Sequence, residues 1–195
     1  MLRKDLTKIL FDETAIAARM DALVESIDRD HAGRDIVVIG ILTGSCIFLG
    51  DILRRLTLPL TVECLSVSSY HGMQSSGMVT FRQSVMPDVA GRHVLLVDDI
   101  LDTGRTLKAV GAKIRELGAV DVKSCVFLRK QIERQDVDAD YVGFDIGDEF
   151  VVGYGLDYMG YYRNLPYVGV LSSEAVSRHA KVLPPQNSTP QPTDS

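Results

Sequence analysis

The sequence predicts a doubly wound α/β domain, in which helices cover both faces of a mostly parallel sheet. Two observations favour this fold class. Short β-branched runs such as "DIVVIGIL" (35–42) are typical of buried parallel strands, and they alternate with segments whose apolar residues recur at helical spacing. The length of 195 residues suits one domain, which we assign to 1–182.

The first elements follow this alternation. A helix is predicted over 14–28, where the apolar residues fall on one face. The strand over 35–42 leads into a helix that ends before Pro59. A strand over 60–70 then precedes "HGMQSSGM" (71–78), a small and polar segment with no periodic pattern, which we expect to be a loop.

The second half of the chain continues the alternation. A strand over 92–100 is followed by a helix whose apolar face runs from Leu107 to Leu117 and which Gly118 ends. Further strands are predicted over 120–128, 140–146 and 165–171. The tail, 183–195, has four prolines and no apolar face, so we expect it to be disordered.

Composition and charge exclude several classes of function. The net charge of −5 argues against extended contact with nucleic acid, which requires a basic face. The longest apolar run, near 36–42, is too short to cross a membrane, and the acidic N-terminal segment lacks the apolar core of a signal peptide. We therefore expect a cytoplasmic protein. The cysteines Cys46, Cys64 and Cys125 are dispersed, which predicts reduced thiols buried in the core and no zinc site.

The segment "VLLVDDILDTGRTL" (94–107) joins a strand end to a helix start and combines two opposite kinds of group. Asp98, Asp99 and Asp102 bring carboxylates together. The residues from Asp102 to Thr106 add a glycine, two hydroxyls and the unpaired amides of a helix start, which together can hold an anion. A helix N-cap at Asp102 or Thr103 is the simpler alternative, but it explains only one of these residues.

A sugar phosphate would use both kinds of group. The carboxylates of Asp98 and Asp99 can accept hydrogen bonds from ribose hydroxyls, and adjacent carboxylates also favour a divalent cation. The phosphate would bind the amides a few residues further on. A second anion site, suited to pyrophosphate, is predicted at "LTGS" (42–45), although taken by itself this stretch favours an ordinary strand-to-helix turn.

The segment 94–107 resembles the phosphoribosyl-pyrophosphate (PRPP) signature of the type I phosphoribosyltransferases. Roughly residues 8 to 172 are similar to the hypoxanthine-guanine enzymes of that family. The resemblance implies a central, mostly parallel sheet flanked by helices, with a small hood formed by the terminal segments. It also implies Mg²⁺-dependent transfer of phosphoribose from PRPP to hypoxanthine or guanine, with IMP or GMP and pyrophosphate as products. A homodimer or homotetramer is implied, without nucleic-acid or membrane partners.

The resemblance assigns roles to the matching residues of the two anion sites. Asp102 is implied to be the general base at N7 of the purine. The implied ligands of Mg²⁺ are Asp98, Asp99 and Asp157. The implied contacts of the ribose 5-phosphate are Asp98, Asp99, Asp102, Thr103, Gly104, Arg105 and Thr106. The implied contacts of pyrophosphate are Thr43, Gly44, Ser45 and Arg163.

The pyrophosphate loop carries one further implication and one departure. By resemblance, the peptide bond between Leu42 and Thr43 is expected to be cis. The family usually has a lysine or arginine where this chain has Thr43, so the side-chain charge at that position is missing. Ser69 and Tyr70 match a Ser-Tyr pair with which the family closes a lid over the reacting centre, a closure that excludes water.

The purine is implied to bind at two segments. In "FLRKQ" (127–131) the resemblance matches Lys130 to the lysine that binds the exocyclic oxygen of a 6-oxopurine, with Arg129 as the adjacent candidate. Further along, the implied purine contacts are the ring of Phe150, the backbone of Val151, and Asp157. From the residues alone, Phe150 would favour core packing, and any single lysine favours a solvated surface.

Three other functions are consistent with part of this pattern. A regulator that keeps the PRPP loop and binds nucleic acid would need a basic patch or an added domain, and the chain has neither the charge nor the spare length. A receiver-type signalling domain also has paired acids at a strand end, but there they follow the first strand. An enzyme of the same fold for xanthine or adenine is the closest alternative. Lys130 argues against adenine, whose amino group cannot accept its hydrogen bond.

Overall fold

The structure, a computed structural model, describes residues 2–69, 79–82, 85–133 and 135–182. A short 3₁₀ turn at Leu2–Asp5 opens the described chain. The strands are β1 (Leu6–Phe11), β2 (Ile36–Leu42), β3 (Leu60–Ser69), β4 (Val79–Phe81), β5 (His93–Leu101), β6 (Asp121–Lys130), β7 (Tyr141–Ile146), β8 (Val151–Val152) and β9 (Val168–Leu171). The helices are α1 (Glu13–Asp30), α2 (Cys46–Leu53), α3 (Arg105–Glu116) and α4 (Ser173–Val182).

The central sheet has six strands in the order β4-β3-β2-β5-β6-β7, and all its pairs are parallel except β3 with the edge strand β4. Neighbouring residues of β2 point to opposite faces. Ile36 and Val38 pack with α1 and α2, whereas Val37 and Ile39 pack with α3. Both faces are therefore covered by helices, and the predicted α/β class with a mostly parallel sheet is confirmed.

The helices begin and end where the sequence provides the signals. The side chain of Asp12 accepts a hydrogen bond from the amide of Ala15, 2.8 Å away, and so caps α1. At the other end of α3, Gly118 takes a φ of 91°, which follows the helix as predicted. Helix α2 ends at Leu53 and not just before Pro59, because the chain turns at 54–55.

The chain order of the sheet creates a switch point. From β2 the chain moves outward to β3, and it then returns to β5 on the other side of β2 before moving outward again to β6 and β7. The carboxyl ends of β2 and β5 therefore lie side by side, with the loops that follow them diverging to opposite faces. Ligands of open parallel sheets bind at such a point, so the fold places 42–45 and 98–106 together.

A second sheet of three antiparallel strands lies on the side of the domain where β2 and β5 end. Its order is β1-β9-β8, so the strand near the N-terminus pairs with one near the C-terminus, as expected for a hood of terminal segments. Strands β1, β4 and β8 and helix α4 were not predicted from the sequence, and β9 was predicted to begin at 165, three residues before Val168. These elements are short or carry charges within their apolar pattern.

Several predictions fall outside the described residues or are untested. Tyr70, the predicted loop 71–78 and the tail 183–195 lie outside the described residues, and only the backbone of Ser69 is described. The prediction of buried thiols is wrong for Cys46 and Cys64, which are exposed, and is confirmed for Cys125. The assignment of one domain to 1–182 stays a prediction. Among the described residues, no helix is both long enough and apolar enough to span a membrane.

Candidate active site

Two adjacent carboxylates stand at the end of β5. Asp98 is 7% exposed, and its Oδ1 accepts a hydrogen bond from the Asp99 amide at 3.0 Å. Asp99 accepts from the Ile100 amide at 2.9 Å. Burial, with the charge of Asp99 added to it, raises the pKa of Asp98 well above its usual range. Burial also raises the pKa of Asp99, although hydrogen bonds and the charge of Arg163 oppose it. Both groups therefore favour a cation or hydrogen-bond donors.

The start of α3 leaves its amides available to a ligand. Gly104 is the N-cap residue, with a φ of 79°, and no side chain caps the helix. The N-cap alternative at Asp102 or Thr103 is therefore wrong. The first amides of a helix lack partners within the helix and carry the positive end of its dipole. Arg105 is exposed and Thr106 half-buried next to them, so this segment has the geometry of an anion site.

The loop after β2 lies directly against the paired acids. The peptide bond between Leu42 and Thr43 is cis, as expected from the resemblance. A Cβ atom at position 44 would lie 1.6 Å from Oδ2 of Asp99, so only glycine allows the Asp99 carboxylate to approach this loop. Thr43 is exposed. The loop and the acids thus form one continuous surface at the switch point.

Ser45 contributes to this loop in a different way from its neighbours. Its side chain is fully buried, and the hydroxyl donates a hydrogen bond to the carbonyl of Ile41 at 2.5 Å. The hydroxyl is thus engaged inside the protein. Any contact of Ser45 with an anion would come from its backbone amide.

Lys130 and Arg129, which the sequence left as alternatives, have different surroundings. The Nζ atom of Lys130 lies 3.5 Å from Oδ2 of Asp102 and 3.2 Å from Oδ1 of Asp148. The guanidinium of Arg129 instead pairs with Asp145 at 2.7 Å and with Asp138 at 2.9 Å, and these hydrogen bonds raise its pKa. Lys130 therefore faces the proposed general base, whereas Arg129 is held by carboxylates of the following segments.

The loop between β6 and β7 is hydrogen-bonded to the segment 102–103, which follows β5, and local sequence patterns do not reveal these contacts. The side-chain amide of Gln135 donates to the carbonyl of Lys130 at 2.6 Å and to that of Asp102 at 3.2 Å. The amide of Asp136 donates to the carbonyl of Thr103 at 2.9 Å. These bonds hold the ends of β5 and β6 together, and with them Asp102 and Lys130.

The ring of Phe150 is presented to solvent and not to the core. Its side chain is 53% exposed, and its ring lies edge to face with the ring of Tyr158, with the centroids 5.5 Å apart. The carbonyl of Phe150 accepts a hydrogen bond from the amide of Leu171, and Val151 follows in β8, paired with Val170. An exposed aromatic face on a backbone fixed by a sheet suits stacking on a planar ligand.

Arg163 lies beside the place where Gly155 packs on the loop after β2. It pairs with Asp157 at 2.7 Å and donates to the carbonyl of Gly155 at 2.6 Å. Gly155 itself packs tightly on the first loop, because a Cβ atom there would lie 2.2 Å from the carbonyl oxygen of Gly44. The arginine and the two glycines therefore belong to the same surface as Asp99.

The residues present fit a Mg²⁺ ion that arrives with a phosphorylated ligand. In the described part of the chain, no group of three acidic, histidine or cysteine side chains could hold a metal ion, and Asp157 is paired with Arg163. Mg²⁺ in phosphate-transfer sites, however, is bound by one or two carboxylates and by substrate phosphates. The buried pair Asp98 and Asp99 supplies such carboxylates, and burial, which disfavours their negative charge, raises the pKa of both.

The fold and this arrangement define the class: a doubly wound α/β protein with paired carboxylates and the uncapped start of a helix at its switch point. The family follows from sequence comparison. Residues 7–159 match the family model described as "Phosphoribosyl transferase domain", and the chain belongs to the phosphoribosyltransferase family.

Relatives support the same assignment along nearly the whole chain. The hypoxanthine-guanine phosphoribosyltransferase of Streptococcus pneumoniae is 42% identical over 179 residues, which cover 91% of this chain and 99% of the relative. The enzyme of the same name from Streptococcus agalactiae is 41% identical over 180 residues, 91% of this chain and 100% of the relative. A crystal structure of a hypoxanthine phosphoribosyltransferase from Staphylococcus aureus superposes with a TM-score of 0.84 at 38% identity, covering 89% of this chain and 95% of that one.

Proposed function

We propose that the protein is a purine salvage enzyme that transfers the 5-phosphoribosyl group from PRPP to hypoxanthine or guanine, giving IMP or GMP and pyrophosphate. One observation carries the proposal: Lys130 and Asp102, a donor and an acceptor, lie 3.5 Å apart beside the PRPP motif. O6 and N7 of a purine are neighbours on one edge of the base. A lysine next to a carboxylate can therefore bind both atoms. The names of the matched relatives support the same substrate class.

PRPP would bind at the switch point. Its 5-phosphate would accept hydrogen bonds from the first amides of α3, at 103–106, with the hydroxyls of Thr103 and Thr106 and the charge of Arg105 beside them. The ribose hydroxyls would donate to the carboxylates of Asp98 and Asp99, and Asp102 would border the same ligand.

The pyrophosphate of PRPP would extend toward the loop 42–45, where the backbone of Thr43, Gly44 and Ser45 offers amides, and toward Arg163. When bound, Mg²⁺ supplies positive charge to the leaving pyrophosphate. We expect Asp98 and Asp99 to hold this ion, with Asp157 as the further ligand.

The base would lie between the hood and the sheet edge. Phe150 would stack on its face, the backbone of Val151 would read its edge near Asp157, and Lys130 would donate to O6. N9 attacks C1′ of the ribose as the bond from C1′ to pyrophosphate breaks, and the electron pair leaves with pyrophosphate. The proton of N7 passes to the carboxylate of Asp102, which acts as general base.

The same residues account for stabilisation of the transition state and for the choice of base. As the bond to pyrophosphate breaks, positive charge develops on the ribose ring, and the carboxylates of Asp98 and Asp99 favour it electrostatically. Adenine carries an amino group at position 6, which cannot accept a hydrogen bond from Lys130. We therefore expect adenine to be a poor substrate.

The proposal is tested by an assay with PRPP and Mg²⁺, in which hypoxanthine, guanine, xanthine and adenine are offered in parallel. Nucleotide formation from the 6-oxopurines, absent with adenine and abolished by a chelator, is the expected result. Saturable PRPP binding without turnover of any purine would contradict the proposal and favour a regulator of the same fold. The lid at Ser69 and Tyr70, the dimeric or tetrameric state and the cytoplasmic location stay predictions.

A further inference from the structure

His179, on the C-terminal helix α4, contacts three tyrosines of the segment 158–162, which lies between the proposed site residues Asp157 and Arg163. Its Nε2 lies 2.7 Å from the hydroxyl oxygen of Tyr162, the residue before Arg163. Its ring also lies against Tyr161, with centroids 5.0 Å apart, and against Tyr158 at 6.1 Å. No role was predicted for His179 from the sequence, and it is not among the proposed contacts of the purine or of PRPP.

The hydrogen bonds around Tyr162 determine which group donates. The hydroxyl of Tyr162 lies 2.9 Å from Oδ2 of Asp5, and Arg178 donates to the other oxygen of Asp5 at 2.9 Å. Burial and the neighbouring Asp5 raise the pKa of Tyr162 to about 12, so the phenol stays protonated and donates a hydrogen bond to the Asp5 carboxylate. Its oxygen must then accept from His179, which requires a proton on Nε2.

The residue that accepts this hydrogen bond has a backbone conformation that an aromatic residue seldom adopts. Tyr162 has a φ of 74° and is 2% exposed. Positive φ at a bulky residue is unfavourable and persists where the surroundings fix it. The fixed residue is followed at once by Arg163, whose guanidinium reaches Gly155 and Asp157. The direction of Arg163 therefore depends on the placement of Tyr162.

The ring contacts of His179 lead to the other half of the site. Tyr158 packs its ring at 75° to that of His179 and at 85° to that of Phe150. One ring thus separates His179 from the exposed aromatic face on which the purine would stack. Edge-to-face ring pairs favour a defined mutual orientation, so this sequence of rings restricts where Phe150 can turn.

We propose that His179 is a positioning residue that orients Arg163 through Tyr162 and Phe150 through Tyr158, which makes both substrate subsites depend on helix α4. The inference rests on the proposed function, because it concerns the same pyrophosphate and purine contacts. His179 touches neither substrate. Its two contacts are chemically different: a hydrogen bond serves the pyrophosphate side and ring packing serves the purine side.

Two substitutions separate these contacts. His179→Phe keeps a ring against Tyr158 and removes the donor to Tyr162, and we expect it to raise the KM for PRPP about five-fold, as for the loss of one hydrogen bond. His179→Gln keeps an amide donor near the position of Nε2 and removes the ring, and we expect it to raise the KM for hypoxanthine about three-fold. In each variant the other KM and kcat should change less than about two-fold.

The control is Ser177→Ala, an exposed position on the same helix, which should leave all kinetic constants unchanged. Tyr162→Phe removes the bond to His179 together with the bond to Asp5. In this background His179→Phe should raise the KM for PRPP no further, because the bond between the two residues is already absent. If His179→Phe and His179→Gln lower the melting temperature but leave both KM values unchanged, His179 is only structural and the inference is wrong. An inactive wild-type enzyme would instead contradict the proposed function.

Discussion

The ammonium group of Lys130 lies 3.5 Å from the carboxylate of Asp102, and both groups stand at the carboxyl ends of neighbouring parallel strands. Lys130 is also 3.2 Å from Asp148, whose side chain is 85% exposed. Lys130 is thus placed between an acid of the PRPP motif and an acid of the segment that leads to Phe150. The two halves of the proposed site, for ribose phosphate and for purine, meet at this lysine.

Replacing Asp102, the proposed general base, should slow the chemical step. We expect Asp102→Asn to lower kcat by roughly 10²-fold or more, because the amide cannot take the N7 proton. The KM for PRPP should change little, since the phosphate and ribose contacts of the other residues remain. Steady-state kinetics with PRPP varied at saturating hypoxanthine would measure both constants. Turnover close to that of the wild type would show that Asp102 is not the base.

Lys130 and Arg129 provide a matched pair of substitutions. Lys130→Met should raise the KM for hypoxanthine about ten-fold or more, because a hydrogen bond from a charged group to O6 is lost, a contribution of roughly 1.5–3 kcal/mol. Arg129→Met should act on stability and leave that KM unchanged, since its guanidinium pairs with Asp138 and Asp145. If the effects on the KM were reversed, Arg129 would be the residue that holds the base oxygen.

Substitution by alanine should have different effects at two glycines that are only six residues apart. Gly44→Ala should abolish activity, because the new methyl group would occupy the position of the Asp99 carboxylate. Gly50 lies inside α2 with open space around its Cβ position. Gly50→Ala should therefore raise the free energy of unfolding by about 0.5–1 kcal/mol and keep normal turnover. Chemical denaturation and kinetics would test both, and an active Gly44→Ala enzyme would contradict the placement of Asp99.

Restoring the charge that the family usually carries should strengthen pyrophosphate binding. Thr43 is exposed next to the proposed pyrophosphate contacts. An added lysine charge at an exposed site contributes about 0.2–1 kcal/mol, so Thr43→Lys should lower the KM for pyrophosphate in the reverse reaction by up to about five-fold. The gain should shrink as salt is added. Thr43→Gln is the uncharged control of similar length, and an equal gain from it would exclude a charge effect.

The network at Asp5 predicts a pH-dependent contribution to stability. Burial raises the pKa of Asp5, but the hydrogen bonds from Arg178 and Tyr162 outweigh it, so the pKa lies below its usual range. A lowered pKa contributes stability that is present above the unfolded-state value and is lost as the pH falls through the folded-state value. Asp5→Asn should therefore cost about 1–3 kcal/mol of unfolding free energy at pH 7, with the difference shrinking below about pH 4.

Urea unfolding of the wild type and Asp5→Asn between pH 7 and pH 3 would measure this dependence. Asp35→Asn is a useful comparison, since Asp35 pairs with Arg92 at 3.0 Å on the surface and should contribute less than about 1 kcal/mol. A difference between Asp5→Asn and the wild type that stays constant over the whole pH range would show that the charge of Asp5 does not stabilise the fold.

The sequence could predict which groups lie together at the end of one strand, and it was less informative where two segments meet. Asp98 and Asp99 lie near the end of β5, and Asp102 and Gly104 come directly after it, so their proximity could be predicted from the sequence, whereas their role in binding stays a prediction. Whether Arg129 or Lys130 faces Asp102 could not be predicted, because neighbouring residues of a strand point to opposite faces. The register of β6 with β7 decides which side chains of the two strands pair. Arg129 is paired directly with Asp145 in that register.

The remaining misses have the same physical origin. Asp5, Tyr162 and His179 come from three separate segments, and Asp5 and Tyr162 are 157 residues apart in the sequence. No local periodicity reports such a contact. Strand β1, "LTKILF", has a lysine among its apolar residues and pairs with β9 from the far end of the chain. Its role as a strand is decided by that partner.

The pairing of β1 with β9 has a consequence for when the enzyme can first work during its synthesis. Arg178 and Asp5 are separated by 173 residues, so the contact between them closes a loop that includes almost every other element. A ribosome adds about 5–20 residues per second, and the strands β2, β5, β6 and β7 emerge well before β9. The parallel sheet can therefore assemble on a partial chain, whereas β1 can pair only after β9 has been synthesised. A nascent chain that still lacks β9 would hold the segment 94–107 but not Leu171, whose amide donates a hydrogen bond to the carbonyl of Phe150.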